Sequence, residues 1–261
     1  MNVNHIAAFG VIVQALSERL RDPMDPRQPG AAELKAQVSD LCGYLADGQV
    51  DEARWQLMRL ESFISDWDVV AAKLPEYIAE LRRRIVRDDV RSGYVGARSE
   101  LAVAAFLLSK GLSVERGPQE GADFVIVRPE GTVLVESTSL HLSAEREENF
   151  YEFESAIRQK RTEPYCGPAA VLHVDYTAVL RRGGDTLQVS FGERLQKLVA
   201  ATSWGAVMAS AFFVSSQGNR YHRGFLRFDG PEQTPAVVDF LDVVLPPGAV
   251  WPGLVSIPPT A

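Results

Sequence analysis

The chain has little cysteine: Cys42 and Cys166 stand far apart in different segments. That excludes a disulfide framework and a CxxC metal site, and leaves both thiols passive. Its few histidines, His5, His141, His173 and His222, show neither the i, i+4 spacing nor the cysteine pairing of a zinc site, so a zinc enzyme is not expected. No apolar run approaches the ~20 residues that span a bilayer. The opening MNVNHIAAFGVIVQALSERL carries an apolar patch but no basic flank and no small-residue cleavage site. It reads as a helix of the mature protein, and the expected compartment is the cytoplasm, with no membrane partner.

Excess positive charge is also missing. A net charge of -7 excludes holding nucleic acid by bulk electrostatics and leaves phosphate contacts to local clusters. Those clusters are Arg82, Arg83, Arg84, Arg87 and Arg91, then Arg158, Lys160 and Arg161, then Arg181 with Arg182, and Arg220 with Arg223. Each one by itself reads as a solvated face or loop.

What is present is the composition of a folded protein, 46% hydrophobic and 23% charged, in 261 residues. That length permits one large domain or two small ones. From Ile6 to Leu20 apolar residues step by three and four, which predicts an amphipathic helix. The segment Asp22 to Gly30, with three prolines, stops it. Similar stripes run through Leu34, Val38, Leu41 and Leu45, through Ala53, Leu57, Leu60, Ile64 and Trp67, and through Ile78, Leu81 and Ile85, with Pro75 marking a first turn or a kink. Residues 1–90 are therefore expected to form an N-terminal helical region, a bundle whose stripes are core packing. It is open to a dimerisation or docking role.

Composition changes at Ser92. A helix through Ala97, Leu101, Ala104 and Leu108 ends at Lys110-Gly111, a C-cap with a cation in the last turn. Glu100 lies on the flank of its stripe, and alone it reads as a surface glutamate near Arg98. Alternation follows in DFVIV and TVLVEST around the turn RPEG, the pattern of a β-hairpin. With Pro129 and Glu130 as the loop, pairing partners sum to 259 and Asp123 faces Glu136 across the strands. A three-residue loop with Gly131 in the left-handed region is equally natural and slips the pairing by one.

Two opposed carboxylates repel unless a cation or a proton is shared between them. Mg²⁺ (or Mn²⁺) suits such a pair, since it takes one or two carboxylates with water and phosphate oxygens. The plainer alternative is an aspartate opening a strand as a turn residue and a glutamate at a solvated strand end.

After His141 the acidic Glu145, Glu147 and Glu148 lead into a helix with Phe150, Phe153 and Ile157 inward and Lys160 on its flank. PAAVLHVDYTAVL reads as a buried strand with Asp175 near its end, FGERLQKLVAATS as a helix, and WGAVMASAFFVSS and RYHRGFLRF as strands. From Gly230 on the chain is Pro-rich, with strand character at AVVDFLDVVL, and reads as a tail wrapping the core.

A helix with Glu100, a hairpin with Asp123 and Glu136, a helix and a buried strand together resemble the PD-(D/E)xK, or restriction endonuclease-like, nuclease superfamily. RSELAVAAFLLSKG matches the family's first core helix with its glutamate, GADFVIV the aspartate that opens the second strand, and VLVEST the acidic position of the third. The resemblance covers about 92 to 216. It implies an α/β domain over 91–261, a mixed central sheet flanked by helices. It also implies a Mg²⁺- or Mn²⁺-dependent endonuclease, a hydrolase of phosphodiester bonds in DNA, with Glu100, Asp123 and Glu136 on the metal. Thr138 departs from the pattern, standing where the catalytic lysine belongs. Thr138 shares a strand face with Glu136 and can donate a hydrogen bond, but brings no charge. Some members of the superfamily carry the lysine on the following helix, which here would be Lys160. Otherwise the fold is kept and the activity lost, leaving a nucleic-acid-binding or assembly subunit of a larger complex. Cutting both strands of a duplex usually takes two active sites, so a homodimer is expected of an active enzyme.

Overall fold

The computed structural model describes residues 3–20, 32–87, 91–118, 120–140, 149–178, 189–214 and 221–246. The proline-rich stop at 22–30, His141, the acidic stretch at Glu145, Glu147 and Glu148, Arg181, Arg182, Arg220 and the tail from 247 lie outside them, as do the side chains of Arg87, Arg91 and Phe150. The protein is of the α/β class, with a mixed sheet of six strands among the described residues. It divides into two compact units, 1–106 with 213–222 and 107–212 with 223–261.

The helical unit contains α1 (Val3–Leu20), α2 (Ala32–Ala46), α3 (Val50–Ala71), α4 (Pro75–Arg87) and α5 (Arg91–Ser109), which it holds as far as Phe106. On α3 the buried residues Ala53, Gln56, Leu60, Phe63, Trp67 and Val70 recur every three or four positions, so one stripe faces inward. Phe63 is its centre, with the Trp67 and Tyr94 rings each 5.8 Å away. Pro75 opens α4, where its missing N–H costs nothing, and makes no kink. Two arginines of α4 serve the fold: Arg82 lies over the Trp67 ring and Arg84 pairs with Glu100.

The sheet unit contains β1 (Val114–Arg116), β2 (Phe124–Arg128), β3 (Gly131–Ser139), α6 (Asn149–Lys160), β4 (Ala170–Asp175), α7 (Val189–Ala200), β5 (Ala206–Val214), β6 (Tyr221–Asp229) and α8 (Pro235–Val244). Strand order follows the sequence from β1 to β6. β1, β2 and β3 pair antiparallel, while β3, β4 and β5 pair parallel. The parallel neighbours require crossovers, supplied by segments containing α6 and α7. Val135, Val171 and Ala206 lie side by side through the fully buried centre of the sheet. The nearly unbroken burial of β4 fits a parallel strand covered on both faces.

Two differences from the sequence reading concern this unit. β1 was not foreseen, because three residues are too few to show an alternation. The segment AVVDFLDVVL, expected to have strand character, is the helix α8. Thr234 caps it by accepting from the Val237 N–H at 3.3 Å, Pro235 occupies its first turn, and Ala236, Val237, Phe240, Leu241 and Val244 bury one face at helical spacing. No helix among the described residues is long and apolar enough to cross a membrane.

Candidate functional site

The β2–β3 hairpin pairs Arg128 with Gly131 and Phe124 with Val135, so Pro129 and Glu130 form a two-residue loop and partners sum to 259. Gly131 makes this turn at a φ of +129°, a region that side chains strongly disfavour. Extending the pairing by one residue sets Asp123 opposite Glu136, on the face shared by Leu134 and Thr138. Asp123 is gripped at both carboxylate oxygens. Oδ1 accepts from Arg116 Nη1 at 3.0 Å, and Oδ2 accepts from the Ser137 backbone N–H at 2.8 Å. The same Arg116 nitrogen donates to the Asp123 carbonyl at 2.7 Å, which ties β1 to the head of β2.

Glu136 is only 5% exposed and takes the second cation. Lys160, the last residue of α6, places Nζ 2.5 Å from Glu136 Oε1 and 3.8 Å from Glu163. Burial alone would lower the lysine pKa, but the hydrogen bond to Glu136 and the charges of Glu136, Glu163 and Asp123 outweigh it and raise the value. The ammonium is therefore held charged beside the acidic pair. Tyr165 lies on the loop between α6 and β4, where burial first and then the nearby acids Glu136, Glu163 and Asp123 hold the phenol well above its ordinary range. Neither Arg116 nor Tyr165 was foreseen. A single arginine in VER and a tyrosine in a connecting loop carry no motif, and only folding brings them to the acids.

The opposite face of β3 is also polar. Ser137 Oγ lies 3.0 Å from His173 Nδ1, and His173 Nε2 lies 2.7 Å from Ser210 Oγ, joining β3, β4 and β5. His173 is fully buried, and burial holds its pKa down to about 4 against the opposing charge of Asp175, with Arg223 lowering it further. The imidazole is neutral, so one nitrogen donates and the other accepts. Asp175 in turn accepts from the Thr177 N–H at 2.9 Å and from its hydroxyl at 2.5 Å.

Glu100 belongs to the helical unit. It is buried there rather than exposed on the surface, and its partner is Arg84 rather than Arg98. Arg84 donates to both carboxylate oxygens at 2.7 Å, and the Tyr77 hydroxyl adds a bond at 3.1 Å. The hydrogen bond to Glu100 raises the arginine pKa further, outweighing burial. Arg98 is buried as well, donating to the Arg59 carbonyl at 3.1 Å.

The sheet unit thus brings together Asp123, Glu136 and Lys160 of the expected residues. Among the described residues no group of three or more His, Cys, Asp or Glu is arranged to hold a metal ion. Two carboxylates nonetheless match the one or two that Mg²⁺ takes from a protein. No family model matches the chain, and neither does any curated protein or solved structure. The class established by the fold is an α/β protein with, among the described residues, a mixed sheet of six strands.

Proposed function

We propose that the protein is a metal-dependent nuclease of restriction endonuclease-like fold that hydrolyses phosphodiester bonds in DNA. The observation that carries this reading is the position of Lys160, whose Nζ lies 2.5 Å from Glu136 Oε1, while Asp123 accepts from the N–H of the next residue, Ser137. A lysine from the helix after the third strand fills the role left open by Thr138. The topology supports the reading as well: Asp123 opens the second strand of the sheet and Glu136 lies on the third.

Asp123 and Glu136 are the residues that would hold the metal. When bound, Mg²⁺ supplies Lewis-acid polarisation of the phosphoryl oxygen. Arg116 and the Ser137 N–H fix the Asp123 carboxylate in one orientation. Lys160 orients the attacking water or stabilises charge developing on the phosphate, from a position that leaves the ammonium protonated. The purified chain incubated with plasmid DNA and Mg²⁺ or Mn²⁺ tests this. Cleavage is expected from the natural sequence and its loss from Asp123→Ala and Lys160→Ala. Cleavage unchanged in both variants, or absent throughout, overturns the proposal.

A second reading, a non-catalytic subunit of the same fold that binds nucleic acid or joins a larger assembly, draws on a different observation. Arg116 and Lys160 already balance the charges of Asp123 and Glu136. Gel-shift binding of DNA, unaffected by Mg²⁺ and unaccompanied by cleavage, is the outcome that this reading requires.

A further inference from the structure

The three antiparallel strands at one end of the sheet have two faces of different character. Pairing sets Val114 beside Ile126 and Ile126 beside Val133, and on this face Val114, Phe124, Ile126, Val133 and Val135 are all buried. α8 packs against β2 and β3, and Arg128, on the same face by alternation, pairs with its Asp239 at 2.7 Å. On the other face Glu115, Val125 and Leu134 form one row across the three strands, and Val127 with Thr132 forms the next. Glu115, Val127 and Thr132 are exposed there, Val127 at 56%, while Val125 and Leu134 are half-buried. A sheet face left to water normally carries polar side chains in alternation. Three adjoining apolar residues, one of them mostly in solvent, depart from that rule.

The rim of this open face is acidic. Glu115 on β1 and Glu130 in the hairpin turn are exposed, and neither makes a hydrogen bond or an ion pair among the described residues. Neither belongs to the Asp123–Glu136 site. An apolar centre is thus bordered by two unanswered negative charges. A second copy would bring the same carboxylates against one another, and nucleic acid would set phosphates against them; like charges brought together across an interface suppress a partner. A cationic partner gains at both points. On the buried face of these strands a helix does the covering, the usual way for an apolar sheet face to leave water. We propose that the open face of β1, β2 and β3 is a docking surface for a basic amphipathic helix of another protein. Its apolar stripe lies on Val125, Val127 and Leu134, and its lysines or arginines answer Glu115 and Glu130. The inference holds whether or not the chain cleaves DNA.

The probe is a synthetic peptide of about 18 residues, above the length at which isolated helices are marginal, with a leucine stripe flanked by lysines. One control flanks the same stripe with glutamates, and a second keeps the lysines but replaces the leucines with glutamine. Fluorescence anisotropy of the labelled peptide measures binding to the full chain, and backbone amide shifts locate it. The lysine-flanked stripe is expected to bind and to shift the amides of Glu115, Val125, Val127, Thr132 and Leu134, with each control weaker by about 10-fold or more. Val127→Ser is expected to weaken the probe by about 10-fold, through the apolar contact alone. Glu115→Gln/Glu130→Gln should weaken it as well and flatten its dependence on salt. Affinity within twofold of the natural chain in both variants, or shifts centred elsewhere, overturns the inference. If Val127→Ser lowers the unfolding midpoint, the glutamine pair, which removes no bond of the folded chain, decides. A dimer in sedimentation that Val127→Ser dissociates would give the face to a second copy, and a DNA duplex that shifts the same amides would give it to nucleic acid. Either result overturns the inference.

Discussion

Lys160 and Glu136, 24 residues apart in sequence, form an ion pair at 2.5 Å in which the cation comes from the end of a helix and the acid from a strand. The glutamate is 5% exposed. An uncompensated charge at such a position is costly, so this lysine neutralises Glu136 whatever else it does.

On the proposed reaction, Lys160→Met is expected to lower plasmid cleavage by about 10²- to 10³-fold, the range for loss of one preorganised donor to developing charge. Lys160→Arg keeps the charge but not the compact ammonium, and is expected to recover only part of the rate. Initial rates at saturating Mg²⁺ check both. A Lys160→Met chain as fast as the natural one would remove the lysine from the chemistry.

In the helical unit, Arg84→Met leaves the Glu100 carboxylate with only the Tyr77 hydroxyl among the donors described above. Removing one partner of a fully buried pair costs about 3–5 kcal/mol; here the arginine is 34% exposed, so about 2 kcal/mol is expected. Urea unfolding of the full chain measures it. The Arg84→Met/Glu100→Leu double variant should regain part of the loss, because it removes the stranded charge; no recovery would mean that the pair is not what Glu100 contributes.

Stability is expected to depend on pH through His173. Folded, its pKa is held down to about 4; unfolded, it returns to the ordinary value near 6.5. Below pH 6.5 the unfolded chain binds a proton that the folded chain does not, so stability falls as pH drops from about 6.5 to about 4, by about 3 kcal/mol in total. Urea midpoints across that window, compared with those of His173→Gln, isolate this residue from the carboxylates. The variant should give a flatter profile, and parallel profiles would refute the assignment.

Gly205→Ala places a methyl where the Pro168 carbonyl oxygen stands, 2.4 Å away. Relieving that clash means shifting the start of β5 or the loop before β4, and overpacking of this kind costs about 1–3 kcal/mol. Thermal unfolding should show it. A chain as stable as the natural one would show that the loop yields freely.

The sequence alone determined the parts that depend on near neighbours. Periodicity set the helices of the first 90 residues, alternation set the hairpin, and apolar runs set β4 and β5, because each pattern is enforced by which side of an element is buried. The hairpin register is an intermediate case. Two loops were equally compatible with RPEG, and pairing chose Pro129–Glu130, with Gly131 taking the φ that other residues resist, so that Asp123 came to stand opposite Glu136. AVVDFLDVVL misled because its short apolar run suits either period, and the Thr234 cap and Pro235 decided for helix. What only the tertiary structure decided is which charge answers which. Arg116 on Asp123, Lys160 on Glu136, Arg84 on Glu100 and the two serines on His173 all join residues from different elements. No local pattern encodes such pairs, because side chains remote in sequence meet only after burial makes an unpaired charge or polar group too costly to leave.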